Sequence, residues 1–210
     1  MDDAKTILFY GDSNTWGYDP ETGGRYPCRL RWTSVCAALL GDGYDCVPAG
    51  MNGRTTAFDD PVKGARNGLK GLDYELQSHK PLDIVVIMLG TNDLKYTDAA
   101  GSAAGMERLL RLVLSANERY NLSSPVFPNG AKILLVSPIL LGAHVGARAE
   151  DIAESARLSA LYRELAKTCG VHFLDAARYA DPSEADGVHL DADGHRTLGE
   201  AIAEKLRTLC

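Results

Sequence analysis

Four short stretches of this chain carry residue types that together could attack a carbonyl. Ser13, in "FYGDSNTWG" directly after an apolar run, has a hydroxyl that is a poor nucleophile at its own pKa. It needs a base within hydrogen-bond reach and donors for the oxyanion that develops. In "DGVHL", Asp186 stands three residues before His189. That spacing can bring the carboxylate to one ring nitrogen and leave the other facing the serine as general base. Backbone N–H groups between a strand end and a helix start point outward without intrahelical partners, which makes the Ser13 N–H a candidate oxyanion donor. Gly53, in "AGMNGRTT", permits close backbone approach and offers a second N–H, and Asn92, in "MLGTND", offers a side-chain amide. Each stretch alone has a plainer explanation: a turn with a helix cap for "GDSN", a turn glycine for Gly53, an Asx-turn for Asn92.

What must position these residues is an alternation of strands and helices. Apolar β-like runs occur at 6–10, 44–49, 82–89, 131–137 and 171–175, each closing near Gly, Pro, Asn or Asp. The third and fourth are apolar without alternation, as expected of parallel strands covered on both faces. Helix-like stretches lie between them at 31–41, 67–80, 98–120, 149–170 and 191–209. In the fourth, Ile152, Ala156, Ser159 or Ala160 and Arg163 fall on one face beside Leu158, Leu161 and Leu165, a stripe for a sheet surface. The pattern predicts an α/β three-layer sandwich, with a doubly wound parallel sheet of about five strands, as one domain over 1–210. In such a sheet ligands bind beyond the carboxyl ends of the strands, and all four stretches fall in post-strand loops.

The totals narrow the function further. The 210 residues are 45% hydrophobic and carry a formal charge of −6. The cations are scattered, so no nucleic-acid footprint is expected. No apolar run approaches the roughly 20 residues of a membrane span and no leader pattern opens the chain, so a cytoplasmic protein is expected. Five cysteines without CxxC spacing read as reduced thiols, with Cys36 a small core hydrophobe and Cys210 open to adventitious bridging. Asp191 and Asp193 lack the remaining ligands of a calcium loop and read as helix caps, and neither metal nor cofactor is expected.

Around the site, Asp12 reads as a loop cap and Trp32 as core. Trp16 is open between core and a wall for the substrate, and with Asn52 and Val188 it completes the candidate substrate contacts. Arg54 either binds a carboxylate or, as the favoured reading, pairs with the acids of "FDDP". His195 is placed on a helix facing solvent or its neighbours; His79, His144 and His172 are structural or exposed.

The joint order of the blocks, "FYGDSNTWG", "AGMNGRTT", "MLGTND" and "DGVHL", resembles the SGNH or GDSL-type hydrolases, which share a flavodoxin-like sheet. The resemblance implies Ser13 as nucleophile, His189 as base, Asp186 as orienting acid, and an oxyanion hole of Ser13 N–H, Gly53 N–H and Asn92. "GDSNTWGY", "RWTSVCAALLG", "GRTTAFDDP" and "HKPLDIVVIMLGTNDLK" are similar to the arylesterase and acyltransferase branch, which includes bacterial perhydrolases. It implies a small-molecule ester as substrate, cleaved through an acyl-enzyme. Acyl transfer to alcohol or peroxide, or carbohydrate O-deacetylation, are the alternatives, and a homo-oligomer is the expected assembly. A flavodoxin-like module binding FMN is the rival from another class, and it leaves the Asp186–His189 pair without a task.

Overall fold

The computed structural model describes residues 4–120, 124–143 and 148–209; His144 and Cys210 lie outside them. Its frame is a five-stranded, all-parallel sheet of β1 (Lys5–Gly11), β2 (Tyr44–Gly50), β3 (Ile84–Met88), β4 (Lys132–Ser137) and β5 (His172–Asp175), in the order β2-β1-β3-β4-β5. All five β-like runs of the sequence are strands. Every residue of β3 is buried, because helices cover both sheet faces, and so the run shows no alternation. Each such Ile or Val contributes about 1.5–3 kcal/mol through burial.

The helices are α1 (Ser13–Trp16), α2 (Trp32–Leu40), α3 (Gly68–His79), α4 (Ala99–Leu114), α5 (Ala116–Tyr120), α6 (Ala149–Cys169) and α7 (Ala192–Arg207). On one face α2 and α7 pack with Ile7, Phe9, Val86 and Val136; on the other α3, α4 and α6 pack with Leu8, Val85, Ile87 and Leu135. Trp32 is core, edge-on to Phe9 at 5.0 Å, and Cys36 is buried beside it. No helix among the described residues is long and apolar enough to cross a membrane.

Two expectations need correction. The stretch 98–120 is not one helix: the Ser115 hydroxyl donates back to the Arg111 carbonyl at 2.8 Å, and α4 ends there before α5 resumes. The buried stripe of α6 is Ser155, Leu158, Tyr162 and Ala166, with Ala156 and Arg163 exposed. Polar anchors rotate the helix: Ser155 accepts from the Leu141 N–H, and the Tyr162 hydroxyl donates to the Leu89 carbonyl.

The strand order reverses direction between β1 and β3, and in the register Gly11 stands beside both Gly50 and Met88. The loops after β1, β2 and β3 therefore emerge side by side, at the place where this class of sheet forms its crevice.

Candidate active site

The turn after β1 is set by Asp12, whose Oδ1 accepts from the Asn14 N–H at 3.0 Å and caps α1. Asp12 is buried, and burial pushes its carboxyl up to about 6, against the Asn14 N–H and the charges of His189, Lys95 and Arg54. The α1 backbone lies against the end of β2 so closely that a Cβ on Gly50 would meet the Trp16 nitrogen at 2.1 Å. Ser13 opens α1, and among the described residues no hydrogen bond occupies its backbone N–H.

The loop before α7 brings its partners. The His189 Nε2 lies 2.9 Å from the Ser13 Oγ, and its Nδ1 lies 2.5 Å from the Asp186 Oδ2. The second oxygen of Asp186 accepts from the Val188 and His189 N–H groups, each at 2.9 Å. Partial burial opposes the charge on Asp186, but the His189 ring and these N–H groups outweigh it and lower its pKa. With Asp186 ionised, Nδ1–H donates to it and Nε2 is left to accept the Ser13 proton. Asn14 ties the two loops together: its Oδ1 accepts from the Leu190 N–H at 2.9 Å and its Nδ2 donates to the Val188 carbonyl at 3.3 Å.

On the opposite side, Gly53 has φ +76, a left-handed conformation that favours glycine, and its N–H has no acceptor among the described residues. The Asn92 Nδ2 donates to the Arg54 carbonyl at 3.1 Å and reaches toward Asp12 at 3.5 Å, while its Oδ1 accepts from the Lys95 Nζ at 2.7 Å. Lys95 thereby fixes which way the amide points. Behind it Asp93 is wholly buried, accepting from the Thr56 N–H and hydroxyl, and burial pushes its carboxyl up to about 7.

These groups surround a cleft of about 380 Å³ lined by Ser13, Asn52, Gly53, Asn92, Val188 and His189. Trp16, a candidate wall, does not line it. Gly17 ends α1 with φ +89, and the reversed chain brings Tyr18 instead, its ring 4.3 Å from that of His189, while Arg25 stacks over Trp16 at 4.7 Å. Arg54 does not pair with the "FDDP" acids. It is buried, its Nη1 donating to the Gly11 carbonyl at 2.7 Å and to the Ala49 carbonyl, with its guanidinium 4.0 Å over the Tyr10 ring. Asp59 is held by Lys70, and Asp60 by the backbone of its own loop.

His195 is not on a solvent face: it is fully buried, and its Nδ1 accepts from the Trp32 N–H at 3.3 Å. Burial lowers its pKa to about 4. His79 pairs with Glu75 at 3.3 Å, and Asp191 caps α7 by accepting from the Gly194 N–H at 2.7 Å.

Reasoning from the sequence overlooked Asn14, Tyr18, Lys63, Arg66 and Lys95. Asn14 and Lys95 sit within quoted blocks, adjacent to Ser13 and three residues after Asn92, and that proximity is the signal that could have found them.

Comparison with known proteins adds a family. A model described as GDSL-like Lipase/Acylhydrolase family matches residues 9–197. Among solved structures, a carbohydrate acetylesterase from Sinorhizobium meliloti superposes with a TM-score of 0.91 at 37% identity, covering 98% of this chain and 100% of the other. The aryl esterase of M. smegmatis superposes with a TM-score of 0.90 at 34% identity, covering 99% and 100%. An acetylxylan esterase from Xylanibacter ruminicola is 26% identical over 225 residues, and a multidomain esterase from Ruminococcus flavefaciens 26% over 228. The matched stretches are 98% and 95% of this chain but only 44% and 28% of those proteins, so it spans less than half of either.

Proposed function

The chain belongs to the GDSL-like lipase/acylhydrolase family, and from that premise we propose that it is a serine esterase working through an acyl-enzyme on Ser13. The observation that carries this reading is the continuous hydrogen-bonded line from Asp186 through the His189 ring to the Ser13 Oγ, at 2.5 and 2.9 Å. His189 Nε2 takes the Ser13 proton as Oγ attacks the ester carbonyl carbon. Asp186 keeps Nδ1–H in place and stabilises the imidazolium that results. The carbonyl oxygen becomes an oxyanion that accepts from the N–H groups of Ser13 and Gly53 and from the Asn92 amide. The tetrahedral centre collapses, the C–O bond to the alcohol breaks, and the alcohol leaves with the proton held on Nε2. A water molecule, deprotonated by the same nitrogen, then attacks the acyl carbon and releases the acid, returning Ser13.

The names of the carbohydrate acetylesterase and aryl esterase relatives support a short acyl group, acetyl foremost, and two classes of alcohol. Carbohydrate O-deacetylation is the reading favoured by the polar lining of Asn52, Arg66, Lys63 and Lys95. Acyl transfer requires an alcohol to outcompete water for the acyl-enzyme. The test is turnover of phenyl acetate and of an acetylated xylo-oligosaccharide, with products partitioned in mixed water and alcohol. Cleavage of either ester by the wild type and not by Ser13→Ala supports the esterase, and equal rates for the two proteins contradict it. The solvent in which the ester rather than the acid accumulates separates transfer from hydrolysis.

A further inference from the structure

Resting on that esterase reading, we propose that the cleft contains an anion-binding subsite, so that the preferred ester carries a carboxylate or another anionic group. Three cations, Lys63, Arg66 and Lys95, line the cleft against one carboxylate, Asp60. This is unusual for a chain of net charge −6. Some surface cations elsewhere have acidic partners, as in Lys70–Asp59 at 2.8 Å, Arg111–Glu107 at 2.5 Å and Arg157–Glu154 at 2.7 Å. Among the described residues none of the three cleft cations has a carboxylate within ion-pairing distance. Asp60 acts on them only at a distance: its Oδ1 accepts from the backbone N–H groups of Val62 and Lys63 at 2.8 and 2.7 Å, and it forms an ion pair with none of the three.

The placement of the charge is specific. The Arg66 Nη1 donates to the Asn52 carbonyl, and its Cδ and Nε lie 3.5 Å from where a Cβ on Gly53 would stand. Its Nε is buried without an acceptor among the described residues. The Lys95 Nζ donates one proton to Asn92 and keeps two. The Lys95 pKa is lowered, first by lost hydration and further by Lys63 and Arg66, against the pull of Asp12 and Asp60. The three cations face one cleft, so an anion seated there meets positive charge from several sides. They stand beside Gly53 and Asn92, whereas the His189 side is covered by Tyr18. A cluster that served only the oxyanion would speed every ester alike; one that holds a substrate anion separates charged from neutral esters of the same shape.

Two isosteric pairs measure this: 4-acetoxybenzoate against 4-acetoxybenzamide, with the charge on the alcohol half, and monophenyl adipate against phenyl adipamate, with the charge on the acyl half. In at least one pair the carboxylate is expected to have a kcat/KM about tenfold higher, expressed mainly in KM, from several weakly screened contacts. The pair that shows it identifies the half that carries the anion. The preference is expected to collapse toward one at about 1 M NaCl, where the screening length falls to about 3 Å. Lys63→Gln and Arg66→Gln should each reduce the ratio by about threefold, and because each ratio is taken within one protein, a change in folding does not imitate the effect. Ratios of one or below in both pairs overturn the subsite. Calorimetric binding of 4-hydroxybenzoate and adipate, against 4-hydroxybenzamide and adipamide, reads the subsite without turnover. Salt-sensitive preference for an acid in a protein that cleaves none of the esters keeps the subsite and removes the esterase; equal binding of acids and amides overturns the subsite.

Discussion

On the His189 side of the cleft the polar groups are tied to backbone at several points, whereas on the Gly53 side each cation has few anchors. Asn14 bridges the first and last loops through Leu190 and Val188, Asp186 is held by two N–H groups, and the His189 carbonyl accepts from the Ser183 N–H at 2.7 Å. Lys63, by contrast, is exposed on a loop and Arg66 is anchored through a single carbonyl. The difference separates two tasks. Proton transfer tolerates little misplacement, so its groups are over-determined; a substrate charge is felt across several ångströms, so its partners need not be.

The contrast can be broken first at its rigid side. His189→Ala should lower kcat by roughly 10⁴ to 10⁶ with the fold retained, as measured by ester hydrolysis and far-UV dichroism, since the members of such a unit fail together. Asn92→Ala should lower it by about 10² to 10³, the cost of one oxyanion donor. A drop of less than tenfold would mean that the Lys95-oriented amide does not meet the oxyanion.

Away from the cleft, His195 gives a pH signature. Its folded pKa of about 4 lies below the ordinary 6.5, so its contribution to stability is fully present above pH 6.5 and is lost as pH falls through about 4. At neutral pH that contribution is on the order of 3 kcal/mol. Asp12 and Asp93, raised to about 6 and 7, act in the opposite sense: theirs is present below pH 3.8 and lost as pH rises through those values. Comparison of the wild type with His195→Asn therefore isolates the histidine, and the variant's Tm should fall less steeply between pH 6.5 and 4. A smaller effect on stability than that of His195 is expected for Asn14→Ala. It leaves the Leu190 N–H without its acceptor and costs about 1–3 kcal/mol by denaturant melts. Because Asn14 also ties His189 to Ser13, kcat should fall while KM holds; a pure stability loss would make Asn14 a packing residue only.

Much of the fold could be read from the chain because its strands are short, apolar and separated by helices, so that periodicity and length agree. The stripe of α6 was misread because Ser155 and Tyr162 are polar residues whose hydrogen bonds rotate the helix, an influence hydrophobic periodicity does not register. At the site, the residues brought to the cleft from separate loops, Ser13, Gly53, Asn92 and His189, were marked by type and by their place after strands. Trp16 was left open between wall and core and Tyr18 was passed over, because which of two aromatics faces the cleft depends on the left-handed turn at Gly17. Arg54 was misassigned because its partners are carbonyls of Gly11 and Ala49, which carry no signature in the sequence. The cleft cations went unnoticed for a related reason: Lys63 and Arg66 lie in one loop and Lys95 in another, and the two loops meet only in three dimensions.

The most direct test of the central claim is covalent capture of Ser13. The protein is treated with a serine-directed aryl phosphonate, its ester hydrolysis is followed, and the adduct is located by intact mass and peptide mapping. We expect one adduct per chain, on Ser13, formed in step with the loss of activity and absent from His189→Ala on the same timescale. Hydrolysis that persists after Ser13 is modified, or an adduct on another residue that accounts for the loss, would contradict an acyl-enzyme at Ser13.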